Sequence, residues 1–99
     1  MNLVFQGTMG NSAAPTQIDC AYDSMIISLI VINNISAGYT ITVKRFETEI
    51  NLETLLYKFQ LETGDSIRDT AQYKMSKGDY IELESTSTST TYYISAEVS

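Results

Sequence analysis

The sequence contains no histidine and no tryptophan, and it has one cysteine, Cys20, and one proline. Without histidine the chain has no imidazole for general acid–base catalysis, for a Ser-His-Asp triad or for most zinc sites. A single cysteine excludes an internal disulfide and any multi-cysteine metal site. We therefore expect Cys20 to be a small buried residue and the chain to be no enzyme.

Positive charge is also scarce, because 6 Lys and Arg stand against 12 Asp and Glu and give a formal net charge of −6. Phosphate binding needs a surplus of cations to displace condensed counterions, so we expect no nucleic-acid partner. The main apolar run, Met25–Ile32, has eight residues, which is too short to cross a bilayer. We see no secretory signal and expect no membrane insertion, and the 99 residues suffice for one domain with a modest core.

The first ten residues have the character of an expression-vector remnant. Asn2–Gly7 resembles the recognition sequence of a viral processing protease, with Val4 where that site carries tyrosine, and Thr8–Gly10 resembles a cloning junction. We therefore assign residues 1–10 to such a remnant and residues 11–99 to a single β-sandwich domain. If the remnant is ordered, we expect Leu3–Gln6 to lie against an exposed strand edge or a neighbouring subunit.

Short apolar and alternating segments separated by turn residues fill the rest of the chain. Met25–Ile32 is apolar at seven of its eight positions, and Tyr39–Lys44 alternates between apolar and polar residues. Leu61–Arg68 and Met75–Glu82 share the pattern apolar-x-x-Gly-Asp-x-Ile-charged, which predicts two glycine turns that each lead into a strand. The sum is seven or eight short strands, typical of an all-β, antiparallel, jelly-roll-like β-sandwich.

The segment Ile50–Glu62 fits two periodicities. A helical stripe is formed by Leu52, Leu55, Leu56 and Phe59. Strand alternation is formed equally well by Leu55, Tyr57, Phe59 and Leu61. We favour the strand because the segments around it are β.

Carboxylates and tyrosines are the remaining candidates for a binding site. Five acids fall close together in sequence: Asp65, Asp69, Asp79, Glu82 and Glu84. They lack the ligand spacing of a calcium loop, so we interpret them as solvent-facing and expect no metal and no cofactor. Of the seven tyrosines we expect four to face the core, namely Tyr39, Tyr57, Tyr73 and Tyr92, which leaves Tyr22, Tyr80 and Tyr93 as candidates for a carbohydrate platform.

A strand that is apolar on both faces needs cover on its second face, which either a loop or an oligomer interface can supply. We predict an interface formed by Met25, Ile27, Leu29 and Val31, or by the alternate set Ile26, Ile30 and Ile32. The loops Asn33–Gly38 and Ser85–Thr91 are candidates for partner contact. The residues we single out there are Asn33, Asn34, Ser87, Thr88 and the nearby Tyr93.

Five segments together resemble small β-sandwich virion proteins of tailed bacteriophages: Ile26–Asn34, Tyr39–Val43, Leu61–Ile67, Met75–Leu83 and Tyr93–Ser99. They carry an Ile-rich strand, a Thr/Val-alternating strand, two Gly-Asp turns and a final Ile-Ser-x-Glu-x-Ser strand. The segment between Phe46 and Leu56 departs from that family in carrying more charge.

The resemblance implies a non-enzymatic structural protein of the phage particle, as a capsid decoration or a head/tail accessory component. Such a protein is made in the bacterial cytoplasm, ends in the virion, contacts other virion proteins and forms a homo-oligomer, of which we favour a trimer. The alternative is a small module that binds a host surface or a carbohydrate.

Overall fold

Nine strands and no helix make up the described part of this computed structural model, which covers residues 1–11, 13–34, 39–62, 64–86 and 90–98. The strands are β1 (Asn2–Thr8), β2 (Thr16–Asp19), β3 (Met25–Asn34), β4 (Tyr39–Glu47), β5 (Leu52–Leu61), β6 (Ser66–Asp69), β7 (Tyr73–Met75), β8 (Tyr80–Ser85) and β9 (Thr90–Val98). The all-β prediction is therefore confirmed, with nine strands rather than seven or eight.

The strands form two antiparallel sheets that pack face to face. Sheet 1 has the order β1-β9-β3, and β6 and β7 pair with successive halves of the far edge of β3. Sheet 2 has the order β2-β8-β4-β5. When β6 and β7 are counted as one interrupted strand, this interleaving is the strand order of a jelly roll.

Side chains from the inner faces of both sheets form one core. The residues with no exposed surface are Ile27, Ile30, Ile32, Ile41, Val43, Ile81, Leu83, Ile94 and the polar Thr90. Each such aliphatic side chain contributes about 1.5–3 kcal/mol through removal from water. Alternation along β4, β8 and β9 supplies most of this core, as period-two patterning predicts.

A β-bulge reverses the alternation in β3. Ile27 pairs with Ala96 and Leu29 pairs with Ser95, so Ser28 is an extra residue with no partner across the ladder. An inserted residue shifts every later side chain to the opposite face. The interface predicted from uninterrupted alternation is therefore wrong as a set.

On the core side of β3 lie Met25, Ile27, Ile30 and Ile32, each at most 1% exposed. On the outer side lie Ile26, Leu29 and Val31, which are half-buried. The first predicted set loses Met25 and Ile27 to the core, and the alternate set loses Ile30 and Ile32. The first set keeps Leu29 and Val31 on the outer surface, and the alternate set keeps only Ile26.

The ambiguous segment is a strand, β5, as predicted. It pairs with β4 alone and carries a second bulge, because Val43 pairs with Tyr57 whereas Lys44 pairs with Leu55. Leu56 is the extra residue, and it packs against the core. The prediction that Leu55 shares a face with Tyr57 is wrong, and Leu55 is 55% exposed.

The two repeated Gly-Asp turns are present as predicted. Gly64 has φ of 80° and Gly78 has φ of 94°, and the strands β6 and β8 begin two residues after each glycine. The second turn is tied to the end of β2: Cys20 donates its N–H to the Asp79 carbonyl at 2.8 Å, and Gly78 donates to the Cys20 carbonyl at 3.0 Å. Cys20 is 2% exposed, which confirms its predicted burial.

The first residues of the chain are part of sheet 1. β1 pairs with the outer edge of β9 from Asn2 opposite Glu97 to Thr8 opposite Thr91, so this segment lies against a strand edge as predicted. Leu3 and Phe5 pack against the core, and Met9 is 3% exposed. β1 is thus part of sheet 1 in this chain. That residues 1–10 derive from an expression vector stays a prediction.

Candidate functional site

The outer surface of sheet 1 carries an apolar patch, which we call the apolar face. Its members come from three neighbouring strands: Val4 of β1, Tyr93 of β9, and Ile26, Leu29 and Val31 of β3. Val4 is 51% exposed and Tyr93 is 37% exposed, and the three β3 residues are half-buried. An apolar patch on a sheet surface indicates a contact site when its members adjoin one another.

The strand register places these side chains side by side. Tyr93 lies opposite Val31, and Ser95 lies between Val4 and Leu29 in the next row. Directly opposite residues in antiparallel strands have Cβ atoms about 4.5–5.5 Å apart. The sequence signal for this arrangement was the unbroken apolar run of β3, but the bulge decides which of its residues take part.

Charged residues border the apolar face. Arg68 of β6 lies opposite Val31, and Lys74 of β7 and Glu97 of β9 both lie opposite Ile26. An apolar centre with a rim of charges of both signs is the usual anatomy of a protein–protein contact.

A cavity of about 410 Å³ lies at one end of the apolar face. It is lined by Gln6, Gly7, Thr8, Asn33, Thr91, Tyr92 and Tyr93. Two of the predicted partner-contact residues, Asn33 and Tyr93, therefore share one site. Ser87, Thr88 and the side chain of Asn34 lie outside the described residues. The lining offers an amide, hydroxyls and aromatic rings, which can hydrogen-bond and stack.

A second cavity, of about 430 Å³, lies on the outer surface of sheet 2. It is lined by Asn11, Ala13, Thr40, Thr42, Lys58, Glu84, Ser85 and Thr86. Thr42 lies between Lys58 of β5 and Glu84 of β8 in the ladder and is only 8% exposed. Sequence analysis missed this site because Asn11, Ala13 and Thr86 come close to β4 only through the fold.

A polar cluster lies where β5 faces β6 and β7. The Tyr73 hydroxyl donates to Asp69 Oδ2 at 2.5 Å, and the Arg45 guanidinium donates to the Lys74 carbonyl. Burial and the hydrogen bond to Asp69 raise the pKa of Tyr73 to about 12. Burial, with the charge of Asp69, also raises the pKa of Tyr57 well above its ordinary value. Both phenols stay protonated at neutral pH, so the cluster is suited to hydrogen bonding rather than to base catalysis.

The predicted acids do not converge. Asp79 is 5% exposed, and its two carboxylate oxygens accept the N–H groups of Thr48 and Ser76, each at 2.9 Å. Asp65 accepts the N–H of Glu62 at 3.0 Å in the other repeated turn. Among the described residues, no group of three or more His, Cys, Asp or Glu side chains is placed to hold a metal ion.

The predicted tyrosine positions agree with the structure where their side chains are described. Tyr57, Tyr73 and Tyr92 pack against the core. Tyr22 is 36% exposed, and Tyr80 is half-buried and stacks on Phe46 with a centroid separation of 4.9 Å. Of the three candidates, Tyr93 lines one of the two cavities described above.

Comparison with known proteins adds no family assignment. No protein-family model matches the chain, and no curated protein matches it. Within the described ranges, no helix is long and apolar enough to cross a membrane.

Proposed function

We propose that this chain is a non-enzymatic structural subunit of a bacteriophage particle, a capsid decoration or head/tail accessory protein that works by self-association and by contact with other virion proteins. The observation that carries the proposal is the apolar face: five apolar or aromatic side chains on three adjoining strands, bordered by Arg68, Lys74 and Glu97. Burying this surface against a second subunit lowers the free energy because it removes apolar side chains from water.

The assignment to a phage particle rests on the sequence resemblance described above, together with the all-β sandwich. The fold alone hosts many functions, so it supports the proposal without specifying the particle. A trimer is the oligomer we favour, and the virion is its proposed location. Immunogold labelling of purified particles of the encoding phage tests this part, since unlabelled particles would contradict it.

Self-association is tested by light scattering over a hundredfold range of concentration with two matched variants. Leu29→Asp places a charge within the apolar face, and Leu55→Asp places the same charge on the outer surface of sheet 2. We expect the wild-type chain and Leu55→Asp to remain oligomeric and Leu29→Asp to lose the contact through the apolar face, so that its average mass falls, because a desolvated unpaired charge is costly.

Two outcomes contradict this proposal. A wild-type chain that is monomeric at every concentration excludes self-association in solution. A monomer produced by Leu55→Asp but not by Leu29→Asp moves the contact from sheet 1 to sheet 2.

The second candidate is a module that binds a host-surface glycan or protein. The cavity at the end of the apolar face favours it, because that cavity joins the Asn33 amide to the Tyr93 ring. Tyr93→Ala should weaken the affinity for a glycan identified on an array by at least tenfold. Tyr22→Ala, which changes an exposed tyrosine away from the cavity, should leave that affinity unchanged. Absence of any glycan bound by the wild-type chain removes the glycan-binding form of this candidate.

A further inference from the structure

We infer that the outer edge of β9 is a strand-acceptor site which the β1 segment of a second copy of this chain can occupy. In the structure β1 of the same chain fills this edge. In the jelly-roll order β1 takes the place of the first strand, so its departure leaves β9 with an unpaired edge.

β1 binds the edge in the manner of an added peptide strand. Seven consecutive register pairs join Asn2–Thr8 to β9, and β1 pairs with no other strand of the described chain. Main-chain hydrogen bonds give such complexes their affinity, and sites for alternate side chains give them their specificity.

Three inward positions define what the site accepts. Leu3 lies opposite Ala96, Phe5 lies opposite Ile94, and Gly7 lies opposite Tyr92. Leu3 and Phe5 pack against the core, and a Cβ on Gly7 would lie 3.4 Å from the Tyr92 hydroxyl, an ordinary van der Waals distance that does not require glycine. The site therefore suits an extended segment with the pattern Leu-x-Phe, which the β1 of a second copy supplies.

β1 is packed less tightly than β9, the strand with which it pairs. Leu3 and Phe5 are half-buried, whereas Ile94 is fully buried and Ala96 is 1% exposed. After β1, Met9 is 3% exposed and donates its N–H to the Thr90 carbonyl at 2.8 Å. The chain is thus anchored at Met9, and Gly7–Thr8 is the place where β1 can turn away.

Exchange between two copies replaces each contact of β1 with the same contact made in trans. Its equilibrium is set by concentration and by the geometry of Gly7–Thr8, which makes strand exchange a low-cost route to an oligomer. The cavity lined by Gln6, Gly7, Thr8, Asn33, Thr91, Tyr92 and Tyr93 would then be built from two copies.

Disulfide trapping in the full chain tests the exchange. One chain carries Val4→Cys and the other carries Ser95→Cys, two residues that lie directly opposite each other in the register. Both positions are on the outer surface of sheet 1, so the variants keep the core intact, and the native Cys20 is buried. In a mixture of the two chains, a disulfide between the introduced cysteines can form only between copies.

The control mixture combines Val4→Cys with Glu49→Cys, a position in the exposed turn between β4 and β5. We expect at least tenfold more mixed disulfide from the Val4/Ser95 pair than from this control, mapped by mass spectrometry after incubation at high protein concentration. Equal yields from the two mixtures overturn the inference.

A packed apolar face could also bring Val4 of one copy near Ser95 of another, so the trap is repeated with Leu29→Asp in both chains. Exchange through β1 does not use Leu29, and the tenfold excess should persist. Loss of the excess in this background overturns strand exchange and leaves association through the apolar face in place. The two proposals thus fail separately.

Discussion

Two ten-residue strands of this sandwich, β3 and β5, are both rich in apolar residues but differ in how far those residues are buried. β3 lies between β9 on one side and β6 and β7 on the other, and four of its side chains are at most 1% exposed. β5 is the edge of sheet 2 and leaves Leu52, Leu55 and Phe59 between 47% and 55% exposed. Position within the sheet, and not residue type, decides what an apolar strand does.

The contrast also separates two kinds of surface. The outer side of β3 is flanked by strands on both sides and forms part of the apolar face, which suits a packed interface. β5 presents an unpaired edge, and natural edges are commonly shortened, bulged or charged against unwanted pairing. The bulge at Leu56 and the charge of Lys58 serve that purpose in a strand too long to be protected by shortness.

The largest expected effect comes from placing a charge in the core of β3. Ile27→Asp buries a carboxylate with no partner and removes a fully buried side chain, and we expect a loss of at least about 4 kcal/mol in the free energy of unfolding, enough to unfold the domain. The matched Leu55→Asp on β5 should cost less than about 1 kcal/mol, because the new charge stays in water. Urea unfolding followed by circular dichroism measures both, and similar losses would remove the contrast between the strands.

The next effect separates the two bulges. Deleting Ser28 should remove the bulge and leave Ile27, Ile30 and Ile32 facing the core, because their partners Ala96, Ile94 and Tyr92 on β9 already follow in an unbroken register, so we expect a loss of less than about 1 kcal/mol. Deleting Leu56 changes an edge strand and removes one partly buried leucine, so we expect a loss nearer to about 2 kcal/mol. Thermal unfolding of the two deletion variants decides the order, and a larger loss for the Ser28 deletion than for the Leu56 deletion would contradict the assignment of Ser28 as the extra residue of the bulge.

These bulges show where sequence analysis succeeds and where it stops. An unbroken apolar run predicted β3, period-two alternation predicted β4, and the repeated Gly-Asp pattern located two turns with positive φ. Ser28 and Leu56 carry no local signature, because an inserted residue looks like any other until both strands of a ladder are in place. The predicted interface failed for that reason alone.

Two other features escaped because they depend on distant parts of the chain. The cavity on sheet 2 joins residues near position 11 to β4 and β8, and no spacing along the sequence signals such a meeting. β1 was set aside for its resemblance to a protease site, although Leu3 and Phe5 already alternate with Val4 and Gln6 as strand residues do. The resemblance outweighed a periodicity that the structure bears out.

A moderate effect is expected in the pH dependence of the free energy of unfolding, to which the inner face of β5 contributes and that of β3 does not. β3 carries no ionisable group, whereas Tyr57 of β5 lies beside Asp69 and Tyr73, and burial raises the pKa of both phenols, that of Tyr73 from 10.0 to about 12. The unfolded chain therefore loses these protons first, and the stability they contribute is complete below pH 10 and falls as the pH rises toward 12. Tyr73→Phe should flatten that fall and lower stability near neutral pH by about 1.5–3 kcal/mol, the usual worth of a hydrogen bond to a charged group.

Chemical denaturation at several alkaline pH values gives the slope, and ultraviolet absorbance of phenolate shows when each class of tyrosine titrates. Tyr22→Phe is the matched control, because that tyrosine is exposed. An equal flattening by both substitutions would mean that the cluster beside β5 does not link folding to pH.

The smallest expected effect is at Phe59 of β5. The Phe59 ring is 49% exposed and stacks obliquely on Tyr57, with a centroid separation of 5.8 Å. Phe59→Thr keeps a residue favoured in strands and removes an aromatic side chain that is only half withdrawn from water, so the cost should be about 1 kcal/mol. The same substitution in a buried strand would cost several times more. Because an apolar edge strand is a template for unwanted pairing, Phe59→Thr should also slow aggregation on heating, measured by turbidity beside the wild-type chain. A loss above about 3 kcal/mol in the free energy of unfolding would equal the cost of truncating a buried aromatic side chain. β5 would then contribute as much to stability as β3 does, although its side chains are more exposed.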